Sequence, residues 1–166
     1  MALLVATEHN RVEIVEFLLS SSTSRRLDVN LQDKDERTAL MRASWKGHIE
    51  IVKLLVSIPE TDINLQAKYG STALMSASFW GYTEIARLLL SRLDIDVNLQ
   101  AKHGSTALMF ASHRRHKEIV KLLLTRSASQ RINVNLQDND GLTALMHASR
   151  CGYTEIVSLL ENHIQI

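Results

Sequence analysis

The sequence predicts an all-α solenoid of stacked helix-turn-helix units, and three observations carry that reading. The string Thr-Ala-Leu-Met begins at Thr38, Thr72, Thr106 and Thr143, at intervals of 34, 34 and 37 residues. Each copy leads into a Glu-Ile-x-x-Leu-Leu segment, starting at Glu50, Glu84, Glu118 and Glu155. An Asn-Leu-Gln triplet at Asn30, Asn64, Asn98 and Asn135 marks the junctions. A sequence that repeats itself every ~20–50 residues is built from units that cannot bury their apolar faces alone and must stack.

Each unit reads as turn, helix, helix, loop. The threonine opens the first helix, because its hydroxyl can accept from the orphan N–H groups of the first turn. Leu40 and Ala43 follow at helical spacing, the small residue permitting close packing. Gly47, Gly81 and Gly152 end this helix. In the second helix Ile51, Leu54 and Leu55 share one face, while Glu50 and Lys53, three apart, are expected to pair on the other. Neither helix is long enough to stand alone in water. The segment Glu-Ile-Val-Glu-Phe-Leu-Leu from Glu13 adds a fifth copy and places Met1 in the threonine slot. The expected organisation is a single domain over 1–166, with units at about 1–32 (incomplete), 33–66, 67–100, 101–137 and 138–166.

Composition narrows the function classes. The chain has 166 residues, 45% hydrophobic and 22% charged, with a formal charge of +1. That is globular in character and lacks the basic excess of a domain built around phosphate binding. No apolar run reaches the ~18 residues of a membrane span, and the N-terminal stretch has no basic leader of the secretory kind. One cysteine, Cys151, precludes a disulfide framework and fits a reducing intracellular setting, with the cytoplasm as the expected location.

These motifs resemble the ankyrin repeat, and the resemblance covers essentially the whole chain. Its usual pattern is Gly-x-Thr-Pro-Leu-His-x-Ala-Ala, then Gly-His, a Glu-Ile-Val-x-Leu-Leu helix, and Val-Asn before a finger. The resemblance implies an ankyrin-repeat solenoid with β-hairpin-like fingers and a concave groove that binds other proteins. Three departures stand out. Ala39, Ala73, Ala107 and Ala144 replace the proline that opens the first helix. Met41, Met75, Met109 and Met146 replace the histidine that bonds between units, so apolar filling must substitute for it. The glycine usual after the second helix is missing, and the loops are longer than the family norm. Two of these, "SSSTSRRLDVN" and "TRSASQRINVN", share a Ser/Arg-rich expansion that reads as solvated loop, with phosphorylation as the sharper alternative.

Positions that vary between units while the framework stays fixed are free to encode recognition. On the second unit these include Arg37, Arg42, Trp45 and Lys46. The third has Lys68, Tyr69, Phe79 and Trp80; the fourth has Lys102, His103, Phe110, His113 and Arg114. Aromatics are only 5% of the chain, yet five of them fall in this set, beside arginines, as binding hot spots require. The stretch "HRRHK" at 113–117 aligns with "WKGHI" and "FWGYT". His113 and Arg114 therefore take groove positions, Arg115 the glycine slot, His116 the histidine slot, and Lys117 the exposed position before the second helix. A basic, aromatic groove favours an acidic and apolar partner segment.

The expected function is a non-enzymatic, monomeric protein-binding scaffold. Alternatives are nucleic-acid binding through the Arg/Lys/aromatic stripe, or service as a regulatory or targeting module of a larger enzyme or signalling protein. No cofactor or metal is expected. His147 and Cys151, four apart, could face each other as a thiol–imidazole pair, but nothing orients them. His103, His113 and His116 lack a completing ligand for zinc, and "DNDG" at 138–141 reads as a turn. The resemblance also implies that Asn98, with Leu90 and Asp96 upstream, has the pattern of a hydroxylated asparagine; its plainer role is to hold the finger.

Overall fold

Ten helices, arranged as five antiparallel pairs, make up the described residues of the computed structural model, which are 1–20, 27–125 and 131–164. The pairs are α1 (Ala2–Glu8) with α2 (Val12–Ser20), α3 (Ala39–Lys46) with α4 (Ile49–Val56), α5 (Ala73–Trp80) with α6 (Thr83–Leu90), α7 (Ala107–His113) with α8 (Lys117–Leu124), and α9 (Ala144–Arg150) with α10 (Thr154–Ile164). First helices pack on first helices and second on second, pair upon pair in chain order. Residues 21–26 and 126–130 of the two Ser/Arg-rich loop stretches lie outside the described residues.

Local chemistry sets the helix starts. The hydroxyls of Thr38, Thr72, Thr106 and Thr143 accept from the backbone N–H of Met41, Met75, Met109 and Met146 at 3.2–3.3 Å. Alanine where the family has proline therefore costs the cap nothing. Met41, Met75 and Met109 are buried, filling the space a hydrogen-bonding residue would use, whereas Met146 on the last pair is 44% exposed. The same contrast marks the other end: Ile51, Ile85, Ile119 and Ile156 are fully buried, but their equivalent Ile14 is 51% exposed. Burial here comes from the neighbouring unit, as stacking requires.

The fingers are hairpin-like in their bonding but contain no strand among the described residues. Each closes on itself, as where Ala67 N–H donates to Ser71 O and Gly70 N–H to Ala67 O. Successive fingers are linked by one backbone bond each: Lys68 to Asp35, Lys102 to Tyr69, and Asn139 to His103. The junction asparagines reinforce this. The Asn30 side chain donates to Glu60 O and accepts from Asp62 N–H, and Asn64 does the same with Asp94 and Asp96. Asn98 repeats the pattern, donating to Arg131 O and accepting from Asn133 N–H. Gln32, Gln66 and Gln100 each donate to their own finger and to the next.

The expected i, i+3 ion pair forms at Glu84–Arg87 and Glu118–Lys121, but Glu50–Lys53 is not paired among the described residues. These exposed pairs contribute little.

The slot that ends each first helix takes a left-handed conformation: Gly47 has φ 77°, Gly81 φ 78° and Gly152 φ 72°. Arg115 occupies that slot with φ 64°, and Asn10 with φ 53°. A side chain there is strained by roughly 1 kcal/mol against glycine. Arg115→Gly is therefore expected to stabilise the array by about 1 kcal/mol, read as a higher urea midpoint; an unchanged or lower midpoint would mean that the Arg115 side chain repays the strain.

Candidate functional site: an aromatic and basic trough

The C-terminal turns of α3, α5 and α7 bring the variable aromatics together. Trp45 and Phe79 lie parallel with centroids 6.2 Å apart, and Trp80 stands edge-on to both at 5.1 Å. Phe110 continues the row, edge-on to Phe79 at 5.8 Å. Such pairs contribute ~0.5–1.5 kcal/mol beyond burial, so the cluster is held in shape before anything binds. Trp45 and Trp80 remain 46% and 45% exposed, while Phe79 and Phe110 are half-buried. The Arg114 guanidinium lies over the Phe79 ring, 3.9 Å from its centroid.

Tyr69, on its finger tip, stands apart from this row with Lys102 5.8 Å over its ring. Between it and Trp45 opens a cleft of about 130 Å³, floored by Met41, Ala67 and Ser76 and rimmed by Asp35, Arg37 and Ser71. Fingers and first helices thus form the two banks of one trough. Lys68 and His103 are exposed on the finger bank, where their visible roles are backbone links to the adjacent fingers.

The basic residues divide into two groups that the sequence had pooled. Arg42 donates to Glu8 at 2.7 Å and pairs with Asp33, and Lys46 meets Glu8 at 2.5 Å. These cations are neutralised from within. Lys46 foremost, with Arg42, holds the Glu8 carboxyl below its ordinary range against the opposing effect of burial. Burial pushes Asp33 up, but the Arg37 and Asp35 N–H groups and Arg42 outweigh it and keep the carboxylate ionised. The stretch at 113–117 is likewise shared out. Arg115 sits 5.7 Å over Tyr153, His116 bonds Phe79 O at 3.2 Å, and Lys117 meets Glu155 at 3.0 Å. Of this stretch Arg114 joins the aromatic row, while His113 stands edge-on to His147 at 5.6 Å.

The side chains of His147 and Cys151, which the sequence does not orient toward each other, contact other residues. His147 bonds Asp138 at 2.7 Å, and the Cys151 thiol lies 3.8 Å from His113 Nδ1 of the preceding unit. The first contact stays within the fifth unit and the second crosses to the fourth. Among the described residues no three His, Cys, Asp or Glu side chains converge as a metal site, and no helix is long and apolar enough to cross a membrane.

Glu8 is the residue that sequence reasoning passed over. It occupies the same column as Trp45 and Phe79, so superposing the incomplete first unit on the others would have placed it in the trough.

A family model described as ankyrin repeats (3 copies) matches residues 3–101 and 93–166. The chain belongs to the ankyrin-repeat family. Ankyrin repeats are generally protein–protein interaction modules, and members of the family are typically non-enzymatic. Among curated proteins, this ankyrin array is similar to ankyrin repeat domain-containing protein 49 of Mus musculus, 46% identical over 54 residues, which is 32% of this chain and 21% of that protein. It is also similar to the Homo sapiens protein of the same name, at 44% over 55 residues, 33% of this chain and 22% of that one. The matched stretch is thus about a fifth of the length of these relatives. The ankyrin framework is what is shared.

Proposed function

We propose that this ankyrin array is a non-enzymatic intracellular scaffold that docks another protein in the trough between its fingers and first helices. One observation carries the reading. Four aromatic rings from three successive units form a continuous, partly exposed ridge, although an isolated helix face gains nothing from exposed tryptophan. Preorganised aromatics flanked by arginine are the residue types that dominate interface energetics. The nucleic-acid alternative is less well supported, because Arg42, Lys46, Arg115 and Lys117 are engaged inside the array rather than free for phosphates.

The test uses proteins captured from the native host and then titrated individually. Replacing Trp45 and Trp80 together by alanine is expected to weaken genuine partners more than tenfold, with the circular-dichroism spectrum retained. Partners whose affinity is unchanged by that double substitution would place the docking surface elsewhere.

A further inference from the structure

The charge sorting in the trough goes further than the presence of a partner and specifies part of its sequence. At the second-unit end, Arg42 and Lys46 are held by Asp33 and Glu8. At the fifth-unit end, His147 is held by Asp138. Between them Arg114 has no carboxylate within ion-pair reach among the described residues, and its guanidinium lies on the Phe79 ring. Stacking immobilises the plane of a guanidinium while leaving its N–H edge able to grip a carboxylate in two-point fashion. Arg37, Lys68 and Lys102 on the finger bank also pair with no carboxylate among the described residues, but Arg114 is the open cation whose guanidinium is seated on the aromatic ridge itself.

Its spacing from the ridge is fixed. Arg114 lies 3.9 Å from the Phe79 centroid, and Phe79 lies 6.2 Å from Trp45 and 5.1 Å from Trp80. The guanidinium and the tryptophan rings are thus separated by no more than those two steps together. An extended segment returns to the same face every ~6.8 Å and advances ~10 Å in three residues. Ring-to-ring steps of 6.2 and 5.8 Å along the row from Trp45 to Phe110 are close to that first repeat.

We propose that the docked partner presents an extended segment carrying an apolar side chain and an Asp or Glu two to three positions away. The apolar side chain seats against Trp45 and Trp80, and the carboxylate binds Arg114. This rests on the docking reading above. A carboxylate matches a single stacked guanidinium, whereas phosphate readers use clusters of arginine, and here Arg115 is turned to Tyr153.

The experiment is selection of random peptides on the full 166-residue chain, followed by titration of the selected sequences. Expected is enrichment of an apolar–acidic pair at a separation of two or three. Changing the peptide acid to its amide should weaken binding at least fivefold on the native array and not at all on Arg114→Gln, a coupling that a double-mutant cycle isolates. Arg114→Lys should restore only part. The unfolding midpoints of both variants confirm that the array is intact, since Arg114 is exposed. Peptides that depend on Trp45 and Trp80 but show no coupling to Arg114 would overturn this inference and leave the docking reading standing. So would an optimum separation of four, or tighter binding of a phosphopeptide than of its acidic counterpart. Peptides indifferent to both tryptophans, or no enrichment, would bring down both.

Discussion

Arg92→Ala is expected to destabilise the array by about 3 kcal/mol, an effect larger than any single surface change should give. Its side chain reaches from the loop after α6 back to the loop after α4. Nη1 donates to Val56 O and Ile58 O at 3.2 Å, Nη2 to Thr61 O at 3.3 Å, and Nε and Nη2 grip Asp94 at 2.9 and 2.6 Å. Asp94 foremost raises the guanidinium further above its ordinary value, so the charge is permanent. Removing it leaves backbone carbonyls at the end of α4 without their donor and Asp94 without its cation. Arg92→Lys should recover less than half, because an ammonium cannot reproduce the planar fork. Equilibrium urea unfolding gives the answer, and a loss under 1 kcal/mol would mean that water replaces the clamp.

Gly81→Ala should cost a similar amount, about 3 kcal/mol, through three terms of roughly 1 kcal/mol each: left-handed backbone strain, overpacking and a lost hydrogen bond. A Cβ at Gly81 would come within 2.4 Å of the His116 ring, which bonds Phe79 O from that position. The chain contains its own precedent. Asn10 fills the equivalent slot of the first unit, and there the matching ring, His48, keeps only a weakened interaction with the Glu8 backbone: its buried Nε2 has no partner within normal hydrogen-bond geometry among the described residues. Burial, then Lys46, lowers the pKa of that imidazole from its ordinary value, against the opposing effect of Glu8. Gly152→Ala is the control. Among the described residues no neighbour lies within 4 Å of its Cβ position, so only the backbone term of about 1 kcal/mol should appear. Equal losses at the two glycines would remove the ring contact from the account.

Some features set within one unit were legible in the sequence. The threonine caps act across three residues, and the repeat register placed Arg115 in a glycine slot that the backbone then adopts. Several contacts set between units escaped, as did two within a unit, Arg42–Asp33 and His147–Asp138. Arg42 and Lys46 read as free groove cations because their acid, Glu8, lies a whole unit earlier in chain order. Arg92 belongs to a loop column where the neighbouring units carry unrelated residues, so comparison of units gave it no role. His113 meets Cys151 across the stack, a contact that no spacing within one helix signals. Glu8, Val56 and Cys151 sit one unit, or 34–38 residues, from Arg42, Arg92 and His113 respectively. Periodicity announces that such contacts exist without saying which side chains make them.

The aromatic row has a mechanical consequence. Its rings belong to three neighbouring units that are otherwise joined only to their immediate neighbours, so a molecule lying along the row would act as a splint across two seams at once. Part of its binding energy would then appear as resistance of those units to opening separately. Occupancy could therefore be followed by how sharply the array melts, even where no conformational change accompanies docking.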